Sequence, residues 1–120
     1  MKKVTKRGFF DERAVQTIIE GRKWSIADCH WQDCCEEVYA DWDSVDKCEL
    51  LDVLDNAEYV RFSNCEYGFR ICADGHHPIF VPCYNIQNGY YNNTLTIALW
   101  DNVNKHGITF NANTKDEDDY

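Results

Sequence analysis

Along most of this chain apolar and polar positions alternate with a period of two, the signature of half-buried strands, and only briefly adopt the three-to-four spacing of a helix. Val15, Thr17 and Ile19 alternate up to Glu20-Gly21-Arg22, where Gly supplies the positive φ of a tight turn; the chain then returns through Trp24, Ile26 and Asp28. The same stretch also fits a helix capped by Asp11, with Ala14, Val15, Ile18 and Ile19 as its stripe and Phe10 stapled on Val15. β-Branched residues dominate, so the hairpin is preferred. Residues 36–42 place Val38, Ala40 and Trp42 on one face of a strand. Asp46 and Glu49 form a helix-starting box, and Leu50, Leu51, Val53 and Leu54 give the helix its buried side, ending near Asp55-Asn56. Strands come next over residues 57–62, 69–73 and 78–82, with Asp74-Gly75 as a hairpin turn. Asn88-Gly89 marks another turn before a strand over 94–100, and residues 108–110 suit a last edge strand. The pattern predicts an α+β fold: mainly antiparallel β-sheet with one or two short helices.

Composition fixes the scale. At 120 residues and 14.1 kDa, 44% of them hydrophobic, the chain suits one domain with a real core. Residues 9–110 make that domain, residues 1–8 a basic N-terminal arm, and residues 111–120 an acidic, disordered tail. No apolar run is long enough to span a bilayer, and the stretch after the basic start is amphipathic rather than an apolar signal core, so the expected compartment is cytoplasmic. Seven cysteines in a reducing compartment read as thiols, most of them buried as small apolar residues.

Charge changes the picture more. The formal net charge is −9, but residues 1–23 carry seven Lys/Arg against three acids, whereas residues 24–58 carry eleven acids against Lys47 alone. Such a surface repels free nucleic acid and steers a basic partner towards it. Its simplest use is solubility.

Two segments concentrate potential chemistry. Cys29-His30-Trp31-Gln32-Asp33-Cys34-Cys35-Glu36 packs soft and hard ligands together, and Cys72, His76, His77 and Cys83 could complete a zinc site. The spacing is not that of a known finger or ribbon, and Cys34 and Cys35 on a strand would face opposite ways. No metal or other cofactor is therefore expected. Carboxylates for acid–base work could come from Asp28, Asp33, Glu36, Glu37, Asp41 or Asp43, with nothing to single out a pair, and the acidic surroundings would weaken a thiol nucleophile. The reading is a binding protein rather than an enzyme. The second segment, Cys83 to Asn93, gathers tyrosines and amides around Asn88-Gly89, the composition of contact patches.

In His30-Trp31-Gln32-Asp33-Cys34-Cys35-Glu36 and Gln87-Asn88-Gly89-Tyr90-Tyr91 the chain resembles an uncharacterised family of small proteins from bacteriophages and prophage-carrying bacterial genomes. The likeness covers roughly residues 13–100 and agrees with the hairpin. It carries no activity to transfer; it implies a phage accessory protein that acts stoichiometrically on host machinery. The leading expectation is an inhibitor of anti-CRISPR type. It would present acids to a host effector with a basic nucleic-acid-binding surface and bind no nucleic acid directly. The candidate contacts are Asp33, Glu36, Glu37, Asp41, Asp43 and Asp46, with Tyr90 and Tyr91. Two alternatives stand beside it. One is a sponge for a nucleotide signal, with bases stacked near Asn88–Tyr91 and phosphate on Arg61 or Arg70. The other is a small zinc-stabilised module.

Overall fold

A computed structural model describes residues 5–10, 13–30, 37–86 and 94–116 of the chain. Two sheets face each other across a shared core. The first holds β1 (Val15–Glu20), β2 (Trp24–Cys29), β7 (Thr94–Asp101) and β8 (His106–Asn113), in the order β1-β2-β7-β8. The second holds β3 (Glu37–Ala40), β4 (Val60–Cys65), β5 (Gly68–Ala73) and β6 (Ile79–Ile86), in the order β3-β6-β5-β4. β9 (Lys115–Asp116) adds a short parallel pairing to β6. The helices are α1 (Lys6–Phe9), a single turn, and α2 (Lys47–Asn56). The architecture is mainly antiparallel β-sheet with short helices, as the alternation predicts. No described helix is long and apolar enough to cross a membrane.

The period of two builds this core directly. Ile26, Leu95, Ile97 and Leu99 point inward from the first sheet, and Val38, Phe69, Ile71 and Val81 from the second, each at most 1% exposed. Aromatic rings tie the layers: Phe110 of β8 lies 5.3 Å from Phe62 of β4 and 6.1 Å from Phe69 of β5. Burial of each large side chain contributes about 1.5–3 kcal/mol.

The hairpin is the form that residues 15–29 adopt, with Glu20 opposite Ser25. Gly21 does not take the positive φ expected of it; glycine is needed there because the turn lies so close to α2 that a Cβ would stand 2.4 Å from the Cβ of Leu54. That approach lets the Lys23 N–H donate to the Leu54 carbonyl at 3.0 Å and the Trp24 indole to the Ala57 carbonyl at 2.9 Å, closing the C-terminal end of α2. At the other end Asp46 caps the helix, accepting from the backbone N–H of Cys48 (2.9 Å) and Glu49 (3.2 Å).

Residues 1–4 of the basic arm and 117–120 of the acidic tail lie outside the described residues, and the described parts of both take regular structure. Residues 5–10 pack on the outer side of the first sheet, where Phe9 lies 5.4 Å from Trp100 and Phe10 joins Ala27 and Ala98. Gly107 leaves room for the Phe9 ring, which a Cβ there would meet at 2.3 Å. At the C-terminus β8 runs on to Asn113, because Ala112 is buried and the Asn113 amide bonds across to the other sheet. Polar residues that serve as inter-sheet links carry no hydrophobic signal, so the segment reads as solvent-exposed from its composition. Pro82 likewise lies inside β6, at the hand-over from its pairing with β5 to its pairing with β9.

Candidate interaction surface

From β3 the chain turns outward at Asp41 and enters α2 through one 3-10 turn, Trp42–Ser44. Buried Trp42 and Val45 anchor this passage from below. The residues between them face water: Asp43 is fully exposed, and Asp46 is exposed while capping α2. Because Leu50, Val53 and Leu54 bury one side of α2, Glu49 and Asp52 must lie on the other. Asp43, Asp46, Glu49, Asp52 and Asp55 thus recur every third residue around the solvent side, with i,i+3 neighbours about 5–6 Å apart at Cβ.

Structure claims part of this row. Asp46 is the cap, Asp52 lies 3.5 Å from His76 Nδ1, and Asp55 accepts from the Arg22 N–H at 2.7 Å. Asp43 makes only a 4.0 Å approach to Lys47. Glu49 sits in the first turn, where the helix dipole favours a carboxylate. Asp43 and Glu49 are therefore the acids whose charge the fold uses least.

The acids grouped by sequence do not form one patch. Glu37 is exposed on β3 opposite Ile86, and Asp41 is half-buried with its N–H on the Pro82 carbonyl. The four residues of β3 span about 13 Å and separate Glu37 from the Asp43–Asp46 passage. Asp33, Glu36, Tyr90 and Tyr91, with Cys34 and Cys35, lie outside the described residues. Their anchors are described: Cys29 pairs with Thr96 and Glu37 with Ile86.

Asp28, one of the candidate acid–base carboxylates, points into the core and is 1% exposed. A register shift between Val15 and Thr17 frees the Thr17 N–H to donate to Oδ1 at 3.0 Å, and the Ala40 N–H donates to Oδ2 at 3.1 Å. Gln16 Nε2 is 3.4 Å from Oδ2 and donates to the Val38 carbonyl at 2.7 Å. Burial raises the Asp28 pKa, against the lowering effect of Ala40, Trp42 and Thr17. The buried Trp42 indole N–H acts on it from outside hydrogen-bond geometry.

The thiols divide by face. Cys83 points inward from β6, and burial, with Asp28 and Cys65 beside it, pushes its pKa up to about 12, which makes it a poor nucleophile. Cys72 lies on the outer side of β5 and His76 beside Asp52, so the second half of a zinc site does not converge. Among the described residues no three His, Cys, Asp or Glu stand close enough to hold a metal ion.

Apart from Arg61 and Arg70, named above as phosphate contacts for a nucleotide, sequence reasoning passed over the outer face of the second sheet. Phe80, Pro82 and Tyr84 lie there on β6, with Tyr39 on β3, Arg70 on β5 and Arg61 on β4. β6 has large side chains on both faces, so Ile79–Ile86 reads as a continuous run and its outward half is not singled out. A groove of about 490 Å³ also opens on the first sheet, lined by Lys6, Arg7, Phe10, Val15, Ile18 and Glu20. Compared with known proteins, the chain matches no family model, no curated protein and no solved structure.

Proposed function

We propose that the protein works by stoichiometric binding: the acid row from Asp43 to Asp52 docks on a basic surface of another protein. The observation that carries this reading is the row itself, four carboxylates at three-residue steps with Lys47 as the one cation of that stretch. Carboxylates held on a capped helix are preorganised, lose little entropy on docking, and can displace a phosphate backbone from a cationic channel. The resemblance to phage accessory proteins narrows the partner to a host nuclease effector of CRISPR type, met in the host cytoplasm. Catalysis has no part in this reading.

The experiment titrates the protein into purified CRISPR effector nucleases and follows cleavage of their DNA or RNA substrates. The expected result is inhibition that saturates at one equivalent, weakens steeply between low salt and about 0.5 M salt, and is lost in Asp43→Lys/Glu49→Lys. Inhibition indifferent to salt and to the double reversal contradicts docking through the row. Absence of inhibition of any effector contradicts the nuclease partner.

A further inference from the structure

The four strands of the second sheet turn one face inward to the core and the other to solvent. On the outer face Arg70 pairs across strands with Phe80, Ser63 with Arg70, Arg61 with Cys72, and Tyr39 with Tyr84. Partners directly opposite on an antiparallel pair share a face with Cβ atoms about 4.5–5.5 Å apart. Phe80 and Tyr84 stand four residues apart on one strand and share it too. The centre of the face is therefore an aromatic ring beside a guanidinium, flanked by a second aromatic pair whose rings are 5.8 Å apart.

Phe80 and the guanidinium groups are open. Phe80 is 47% exposed and, among the described residues, makes no ring contact; Arg61 and Arg70 are exposed, and no described carboxylate lies within ion-pair distance of either. Lys115 enters the same face opposite Tyr84, its ammonium 5.5 Å from the Tyr67 ring. On the strands the outward positions thus carry three cations, Arg61, Arg70 and Lys115, against one acid, Glu37, at the β3 edge; Glu66 and Asp74 lie in the bordering turns. In a chain of net charge −9 this is a reversal of sign, and it coincides with the aromatic surface.

We propose that this face binds single-stranded nucleic acid, with bases stacked on Phe80 and on the Tyr39–Tyr84 pair and the backbone phosphates met by Arg70, Arg61 and Lys115. A flat four-stranded face with rings at its centre suits two or three successive bases, and stacking on rings tolerates any base sequence. A small isolated ligand fits less well, since such ligands are held in concave sites and Phe80 stands 47% exposed on the outer strands. Net charge opposes nucleic acid over the molecule as a whole. It does not do so here, because the acid row belongs to α2 and the cations to the outer strands. The inference is independent of the acid row, and either can fail alone.

Fluorescence anisotropy of labelled single-stranded DNA and RNA oligonucleotides of about eight nucleotides, titrated with the full chain, tests the proposal. The expected result is binding with a Kd on the order of 10 µM, weakened about tenfold by Phe80→Ala and several-fold by Arg70→Gln, and retained in Phe80→Tyr. Both positions are exposed on the outer face, so the urea midpoint of each variant should match the parent and separates lost binding from lost fold. The plot of log affinity against log salt should have a slope of about −2, as three phosphate contacts to a single strand require. No anisotropy change at about 100 µM protein overturns the proposal. So does binding that Phe80→Ala/Arg70→Gln leaves intact, and so does a mononucleotide that competes as well as the oligonucleotide.

Discussion

Where β1 and β2 lie over β3, the two sheets are joined by a buried carboxylate; where β8 meets β4, they are joined by exposed amides. On the first side Asp28 and Gln16 bridge from the β1–β2 hairpin to the backbone of Val38 and Ala40. On the second, Asn64 Nδ2 donates to the Asn111 carbonyl at 3.2 Å and Asn64 Oδ1 accepts from the Asn113 N–H at 2.9 Å, while Asn113 Nδ2 donates to the Cys65 carbonyl at 2.8 Å. The geometry of the bonds is alike, but their surroundings are not. Water can replace a partner lost at the amide side and cannot reach the Asp28 side, so one seam is costly to break and the other cheap. A carboxylate with chemical promise in the sequence can thus be wholly committed to architecture. Acids left over from architecture are better candidates for contact.

The buried seam should therefore show the greatest loss. Asp28→Ala leaves the buried Ala40 N–H and the part-buried Thr17 N–H unpartnered and should cost about 3 kcal/mol, read as a lowered urea midpoint at unchanged slope. Asn64→Ala, measured the same way, should cost about 1 kcal/mol. A loss at Asn64 equal to that at Asp28 would erase the distinction between the seams.

The seams should also respond differently to pH. Burial holds the folded-state pKa of Asp28 above its ordinary 3.8, so the folded chain takes up that proton at a higher pH than the unfolded chain does. Its contribution is then fully present below 3.8 and lost as pH rises through the folded value. Asp101 runs the other way: burial pushes it up, but bonds from Asn104 and Val103 outweigh burial and hold it below 3.8, so its contribution is lost as pH falls through that lower value. Relative to Asp28→Asn, the parent should gain stability between about pH 7 and pH 4, while the difference between parent and Asn64→Ala stays flat.

The mildest consequence is one of reactivity. In the folded protein Cys83 should resist an aromatic disulfide reagent near neutral pH, where exposed Cys48 reacts; prompt reaction at Cys83 would mean that the buried seam opens readily.

The parts legible in the sequence are those whose signal is local. The β1–β2 hairpin is written in the alternation around Gly21, and α2 in the Asp46 cap with Leu50, Val53 and Leu54 behind it. β8 and β9 depend on Asn113, Thr114 and partners some thirty to fifty residues away, which no local window contains. The candidate site was legible as a concentration of acids, but not as a surface. Neighbours in sequence from Asp33 to Asp46 are divided by β3, while Asp43, Asp46, Glu49 and Asp52 are gathered by the helical period that Asp46 starts. Arg70 and Phe80 meet only because β5 and β6 pair in that register.

If the row at α2 serves a partner while the seams hold the fold, Asp43→Lys/Glu49→Lys should separate the two roles when stability and effector binding are measured on the same preparation. The expected outcome is a urea midpoint that moves little, as relief of repulsion within the row offsets the loss of a first-turn carboxylate at Glu49 and of the Asp43–Lys47 approach, together with loss of inhibition of the nuclease effector. A midpoint that falls along with binding, or binding that survives the reversal, would contradict that division of labour.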